Sequence, residues 1–245
     1  MTEGYRHYKV EEQHGVAFGS VEQKALAELD EPIAKILNQL RPTIEKGSYK
    51  IIVGDDSSGR IPTLIIARAI KKIYAEQGIP PPLVRFVAGS RLTGDVVHEK
   101  KEKLLDAYAI DMRQVLLKES EKTQTKKPRV LIVTDFIESG RSVKPLVDSF
   151  KKNGVGADLA TIGIYDGFSS KKARVDVTAV GQNSVPNIYQ KKELSGVIKS
   201  PKELFATRTH SDVEKQRKIN ATREIVIDIA DRISKKFLSK SSWLS

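Results

Sequence analysis

The run Val130-Leu131-Ile132-Val133 constrains this chain more than any other stretch. Four consecutive apolar residues, three of them β-branched, show no polar alternation. Such a run reads as a strand covered on both faces, the central strand of a parallel sheet. Thr134 and then two carboxylates, Asp135 and Glu138, come next, followed by the small-residue turn Ser139-Gly140-Arg141-Ser142. A helical apolar pattern then runs from Val143 to Phe150. Strand, polar turn and helix make one half of a βαβ unit, and in such sheets ligands sit outside the carboxyl ends of the strands. Backbone N–H groups of a glycine-containing turn that feeds a helix form a ready anion site. Ser139 and Ser142 add hydroxyl donors and Arg141 adds charge, so the turn suits a phosphate. The neighbouring carboxylates suit a sugar diol or Mg²⁺.

A second unit of the same kind lies upstream. Lys50-Ile51-Ile52-Val53-Gly54 reads as a central strand, Asp55 to Pro62 as its turn, and Thr63 to about Gln77 as a helix. Taken alone, Asp55, Asp56 and Ser57 need do no more than shape the turn and cap that helix. Further strands are expected at Leu83–Val87, at Ala160–Tyr165 ending on Asp166-Gly167, and at Val175–Gly181. Between them, 97–121 reads as a charged helix. An apolar stripe from Val21 to Leu40 predicts a helix that Pro32 kinks or divides, with Pro42 and Gly47 ending the region. Residues 1–18 read as an extended arm, and 212–238 as an amphipathic helix capped by Ser211 or Asp212. The helix stripes read as core packing, with the last one packing on its own domain or, by slight preference, within a dimer. Alternating strands and helices, under the right-handed crossover rule, predict an α/β fold: a mainly parallel sheet with helices on both faces.

Composition narrows the chemistry. The 245 residues are 39% hydrophobic and 30% charged, with no cysteine, so disulfides, thiolate zinc sites and cysteine nucleophiles are excluded. No run is apolar enough for a membrane span, and the start Met1-Thr2-Glu3-Gly4-Tyr5 does not read as a signal peptide, so a cytoplasmic protein is expected. The formal net charge is +11, and residues 169–245 hold 16 Lys and Arg against 8 Asp and Glu. That basic final third could meet nucleic acid or small anionic substrates, or is simply a solvated face; no aromatic-rich RNA motif or zinc finger supports the first.

The stretch Val130–Ser142 resembles the phosphoribosyl-diphosphate (PRPP) signature of type I phosphoribosyltransferases. That signature is an apolar strand, two adjacent acids, a short variable stretch and Thr-Gly-x-Thr. Asp135 matches the second acid, and Ser139, Gly140 and Ser142 match the loop conservatively, while Thr134 stands in place of the first acid. Glu138 falls where purine-salvage members carry an acidic catalytic residue. Ser57-Ser58-Gly59-Arg60-Ile61-Pro62 matches the family's earlier diphosphate loop, Ser-x-Gly-x-x-Pro. The stretch from Tyr189 to Pro201 is distantly similar to the end of the core in hypoxanthine-guanine phosphoribosyltransferases. Tyr165-Asp166-Gly167 stands where the family places a base-contacting Lys, so the acceptor is not readable.

The resemblance covers about residues 48–200 and implies a type I phosphoribosyltransferase-like domain there. Residues 1–47 are then an N-terminal arm and helix, and 201–245 a helical extension. It implies binding of PRPP and transfer of its phosphoribosyl group to an unidentified nitrogen acceptor, with Mg²⁺ as cofactor; the amphipathic last helix adds the expectation of a homodimer. By resemblance, Asp135 holds the ribose hydroxyls, directly or through Mg²⁺. Glu138 exchanges a proton with the acceptor or steadies the ribosyl cation. Ser139, Gly140, Arg141 and Ser142 hold the 5′-phosphate, and Ser57, Ser58, Gly59 and Arg60 face the diphosphate. The alternative is a catalytically inactive PRPP- or nucleotide-sensing regulator, binding nucleic acid through the basic C-terminal third; Thr134 points that way.

Overall fold

The computed structural model describes residues 20–55, 59–87, 95–123, 125–165, 175–190, 192–198, 205, 207–208 and 212–241. Five strands form one sheet: β1 (Tyr49–Asp55), β2 (Leu83–Val87), β3 (Arg129–Ile137), β4 (Ala157–Ile164) and β5 (Ala179–Gln182). Their order is β2-β1-β3-β4-β5, and every neighbouring pair is parallel. All seven residues of β1 are buried, Lys50 and Asp55 included, and its apolar centre Ile51–Val53 is that of a strand covered on both faces.

The connections place the helices. The chain leaves β1 through α4 (Arg60–Glu76) to reach the edge strand β2. It returns past β1 through α5 (Asp95–Thr123) to β3, and goes on through α6 (Lys144–Lys152) to β4. Right-handed crossovers running in opposite directions put α4 on one face and α5 and α6 on the other. The two cores agree. Ile52, Leu131, Val133, Ala160 and Ile162 pack with α4 on one face. Ile51, Val53, Val130, Ile132 and Leu159 pack with Leu105 and Met112 of α5 and Phe150 of α6 on the other. The result is the expected α/β architecture, a parallel sheet with helices on both faces.

The N-terminal helical region divides differently from expectation. It forms α1 (Ser20–Ala27), α2 (Asp30–Gln39) and α3 (Arg41–Glu45). The break falls at Glu28-Leu29, ahead of Pro32. Pro32 is the third residue of α2, in the first turn, where its missing N–H costs no intrahelical bond. Pro42 likewise opens α3 instead of ending a helix. The stripe of Leu26, Leu29, Ile33, Ile36, Leu37 and Leu40 is core, as expected, each residue at most 2% exposed.

The last helix, α7 (Val213–Ser241), is capped by Asp212, whose Oδ1 accepts a hydrogen bond from the Lys215 N–H at 2.8 Å. Ile225, Val226, Ile229, Ile233 and Phe237 are buried in the core that α7 shares with α4 and α2. The apolar face that the sequence reading slightly preferred to place in a dimer is therefore used within the chain. A two-stranded antiparallel piece, β6 (Val197–Ile198) with β7 (Thr207–Arg208), lies outside the main sheet. No helix among the described residues is long and apolar enough to cross a membrane.

Candidate active site at the β1–β3 crevice

In this strand order the chain moves from β1 toward one edge of the sheet and from β3 toward the other. The topological switch point therefore lies between the carboxyl ends of β1 and β3, where open α/β sheets bind their ligands. Both turns singled out in the sequence lead from those two ends.

The first turn is drawn onto β3. The Gly59 N–H donates to the Asp55 carbonyl at 2.9 Å, and the Gly59 carbonyl accepts from the Thr63 N–H at 3.0 Å and the Thr63 hydroxyl at 2.6 Å. A Cβ on Gly59 would lie 2.7 Å from the Asp55 carbonyl oxygen, 3.0 Å from that of Val133 and 3.2 Å from the Cα of Thr134. Only a glycine lets the backbone approach this closely. Gly59 is also the N-cap of α4, whose N-terminus therefore starts beside β3. Pro62 sits in the first helical turn, where it needs no donor. Ser57 and Ser58, with Asp56, lie outside the described residues. The Arg60 guanidinium lies over the ring of Phe86 on the edge strand β2, 4.2 Å from its centroid.

The second turn departs from expectation at its start. β3 continues through Thr134, Asp135 and Phe136 to Ile137, because β4 keeps pairing with it: Thr134 with Thr161, Phe136 with Gly163 and Ile137 with Ile164. Asp135 is therefore a strand residue, only 2% exposed. Strand alternation puts it on the face of Val133, the α4 side, and Thr134 on the opposite face. Thr134, also 2% exposed, is a sheet-interior residue. Asp55, at the end of β1, is equally enclosed at 3%.

Beyond Ile137 the chain turns outward. Glu138, Arg141 and Ser142 are exposed and Ser139 is half-buried, so these side chains are accessible to a ligand. Gly140 has φ +71°, and a Cβ there would come 2.7 Å from Cγ1 of Val175. The Gly140 carbonyl accepts from the Lys144 N–H at 3.0 Å, which ties the turn to the start of α6.

Some neighbours carried no signal in the sequence. The rings of Phe136 and Tyr189 meet edge to face at 5.3 Å. A Cβ on Gly163 would collide with the Ser184 carbonyl oxygen at 2.2 Å and with Pro186 at 2.7 Å. The segment from Ser184 to Tyr189 thus closes over the ends of β3 and β4. Tyr165 stands 53% exposed just past β4, and its N–H donates to the Ile137 carbonyl at 3.1 Å. Alternating strand periodicity names none of these contacts, since they arise where strands end. Asp166-Gly167, residues 88–94 and the arm at 1–18 lie outside the described residues.

Among the described residues no three Asp, Glu or His side chains are grouped to hold a metal. Mg²⁺ is ordinarily held by one or two carboxylates, with substrate phosphates completing its shell. Asp135, buried in β3, and Glu138, exposed just past its end, are carboxylates of that type, and their chemistry fits a metal that arrives with a phosphorylated substrate.

No protein-family model and no curated protein matches this sequence. Among solved structures, the chain is similar to a hypoxanthine-guanine phosphoribosyltransferase from Schistosoma mansoni in complex with IMP. The identity is 13%, the TM-score is 0.40, and the chain spans 64% of that enzyme's length with 64% of its own.

Proposed function

We propose that this chain binds PRPP in the crevice between the carboxyl ends of β1 and β3 and transfers the phosphoribosyl group to a nitrogen acceptor. The observation that carries the reading is the seat of Gly59 against Val133 and Thr134, which brings the first turn onto the strand that leads into the second. A substrate with phosphate at one end and diphosphate at the other needs two anion sites at that separation of one strand.

In this reading Ser139, Gly140, Arg141 and Ser142 hold the 5′-phosphate through backbone N–H groups, hydroxyls and the guanidinium. Ser57, Ser58, Gly59 and Arg60 face the diphosphate. The acceptor nitrogen forms its bond to C1′ as the bond from C1′ to the diphosphate oxygen breaks, and the diphosphate leaves with that electron pair. Glu138, exposed at the mouth, takes the proton from the nitrogen. Asp135 on the crevice floor orients the ribose hydroxyls and steadies the positive charge that develops on the sugar. Mg²⁺, held by Asp135 and the substrate phosphates, would neutralise diphosphate charge as it departs.

Calorimetric titration with PRPP and Mg²⁺, then with ribose 5-phosphate, tests the site. Both ligands bind the unmodified chain, and Asp135→Asn or Gly140→Val weakens both. Unchanged PRPP affinity in those variants removes the assignment.

One observation favours a second reading. Thr134, buried in β3, stands where the family has the first of two adjacent acids, which leaves Asp135 as the one carboxylate of that pair. A PRPP- or nucleotide-sensing regulator needs no turnover. Diphosphate release with any base of a panel favours the enzyme. Binding without release, joined to salt-dependent nucleic-acid binding that PRPP modulates, favours the regulator.

A further inference from the structure

A groove of about 780 Å³ lies between α4, β2, the segment Leu194–Val197 and α7, and Arg60 of the first turn is among its lining residues. Its volume is that of a small-molecule site. The floor is apolar: Leu64 and Phe86 from one side, Val197, Ile219 and Val226 from the other. Leu64 is 37% exposed although it sits on the inward-leading helix after β1. The rim is cationic. Arg60, Arg68, Lys71 and Arg223 line the groove, and none of its described lining residues is an Asp or Glu.

The state of these cations matters. Arg68 is partly engaged, 3.5 Å from Asp231, which takes its closer contact from Lys72 at 2.5 Å. Among the described residues, Arg223 donates to the neutral side-chain oxygen of Asn220, at 3.2 Å. Lys71 is exposed on α4, one turn from Arg68, and is in no ion pair among the described residues. Like charges gathered on an apolar floor repel one another and gain from a bound anion. Guanidinium groups pair with phosphate through two parallel hydrogen bonds, and a phosphomonoester brings more negative charge to a cationic rim than a carboxylate does.

We infer that this groove is a second ligand site, one that takes a phosphomonoester with an apolar body. The apolar part lies on Leu64, Phe86 and Val226, and the phosphate meets Lys71 and Arg223, with Arg68 beside them. The groove is enclosed by two helices and a turn, and its volume suits a small molecule better than a protein segment. The assignment stands independently of the crevice, because Lys71 and Arg223 belong to neither phosphate turn.

The test is calorimetry with n-octyl phosphate, n-octyl glucoside and inorganic phosphate on the whole chain. Octyl phosphate binds at one site per chain, and the neutral glucoside and free phosphate each bind at least about tenfold more weakly, as expected when a charge-assisted hydrogen bond or the apolar contact is lost. Lys71→Glu with Arg223→Glu weakens octyl phosphate by at least about tenfold and leaves PRPP binding unchanged. Lys71→Gln with Arg223→Gln gives a smaller loss in the same direction. Equal affinity for octyl phosphate and octyl glucoside, or no loss in either pair of variants, overturns the proposal. Octyl phosphate binding in a chain that does not bind PRPP overturns the crevice reading and leaves this one standing.

Discussion

The α-carbon of Gly59 sits so close to β3 that a Cβ would lie 3.0 Å from the carbonyl oxygen of Val133. The obstacle is backbone, which cannot swing aside as a side chain can. The glycine's φ of −77° is ordinary, so the requirement is for space and not for an unusual dihedral. Gly59→Ala must push the first turn and the start of α4 away from β3. The expected cost is about 1–3 kcal/mol of stability, the usual range for overpacking. PRPP affinity falls as well, because the two turns move apart. Urea denaturation and calorimetry on the same variant separate the effects. A variant with normal stability and normal PRPP affinity would show that the close approach does not matter.

Gly140 fails differently when substituted. Here both the dihedral, φ +71°, and the contact with Val175 at 2.7 Å oppose a side chain. The left-handed conformation alone costs an L-residue about 1–2 kcal/mol. The contact is with a side-chain methyl, which truncation of Val175 removes. In a double-mutant cycle, Gly140→Ala in a Val175→Ala background is less destabilising than in the unmodified chain, while the dihedral cost persists. Strict additivity of the two substitutions would show that Val175 does not press on the turn.

Much of this architecture was legible because burial on both faces leaves a plain mark. Leu83–Val87 is a strand over the expected residues, and Val130–Val133 is central. Residue-level boundaries were less legible where a tertiary contact overrides the local pattern. Asp135 reads as a turn residue by polarity, yet β4 runs on beside it and keeps it in the ladder. Val175 and Val177 read as strand by β-branching, yet β5 begins only at Ala179; Val175 packs against the Gly140 turn instead. Pro42 reads as a breaker, yet proline suits a first helical turn as well as the end of a helix. At the site, Gly59 and Gly140 could be named from the two loop motifs. Their neighbours Val133 and Val175 could not, because these contacts join residues far apart in sequence.

At the amino ends of the strands, Arg129 and Asp158 form a two-pronged pair, with Nε to Oδ2 and Nη2 to Oδ1 both at 2.7 Å. The buried Tyr49 hydroxyl also donates to Asp158, at 2.8 Å. Burial, together with the adjacent Asp158 carboxylate, pushes the Tyr49 hydroxyl well above the usual tyrosine range, so it remains a donor at any ordinary pH. Removing its acceptor strands a buried hydroxyl. Asp158→Ala is expected to cost about 1–3 kcal/mol, most of it from Tyr49, since the Arg129 side chain is 35% exposed and water can replace its partner. Tyr49→Phe is milder, about 1 kcal/mol, because it removes the donor with the bond. Both leave PRPP affinity unchanged, since this network sits at the opposite end of the strands from the crevice. Chemical denaturation ranks the two variants, and the reverse order would refute the account.

Asp106 on α5 makes the two helices of one face respond to acid. Its carboxylate accepts from the Lys152 ammonium at 2.5 Å, the Ser149 hydroxyl at 2.8 Å and the Asn153 amide at 3.3 Å, all on or just past α6. The Lys152 hydrogen bond holds this carboxyl below the usual aspartate range; burial opposes it, and Ser149 and Asn153 assist. A carboxyl depressed in the folded chain adds stability that is complete above its unfolded value, about 3.9, and is lost as pH falls through the lower folded value. Asp106→Asn removes that contribution. The stability curves of the two proteins are therefore separated near about pH 6 and converge as pH falls below about 4. Urea titrations across that interval measure the gap directly. A gap that stays constant down to the acid limit would mean that Asp106 holds α5 to α6 by packing or by a neutral hydrogen bond, and not through its charge.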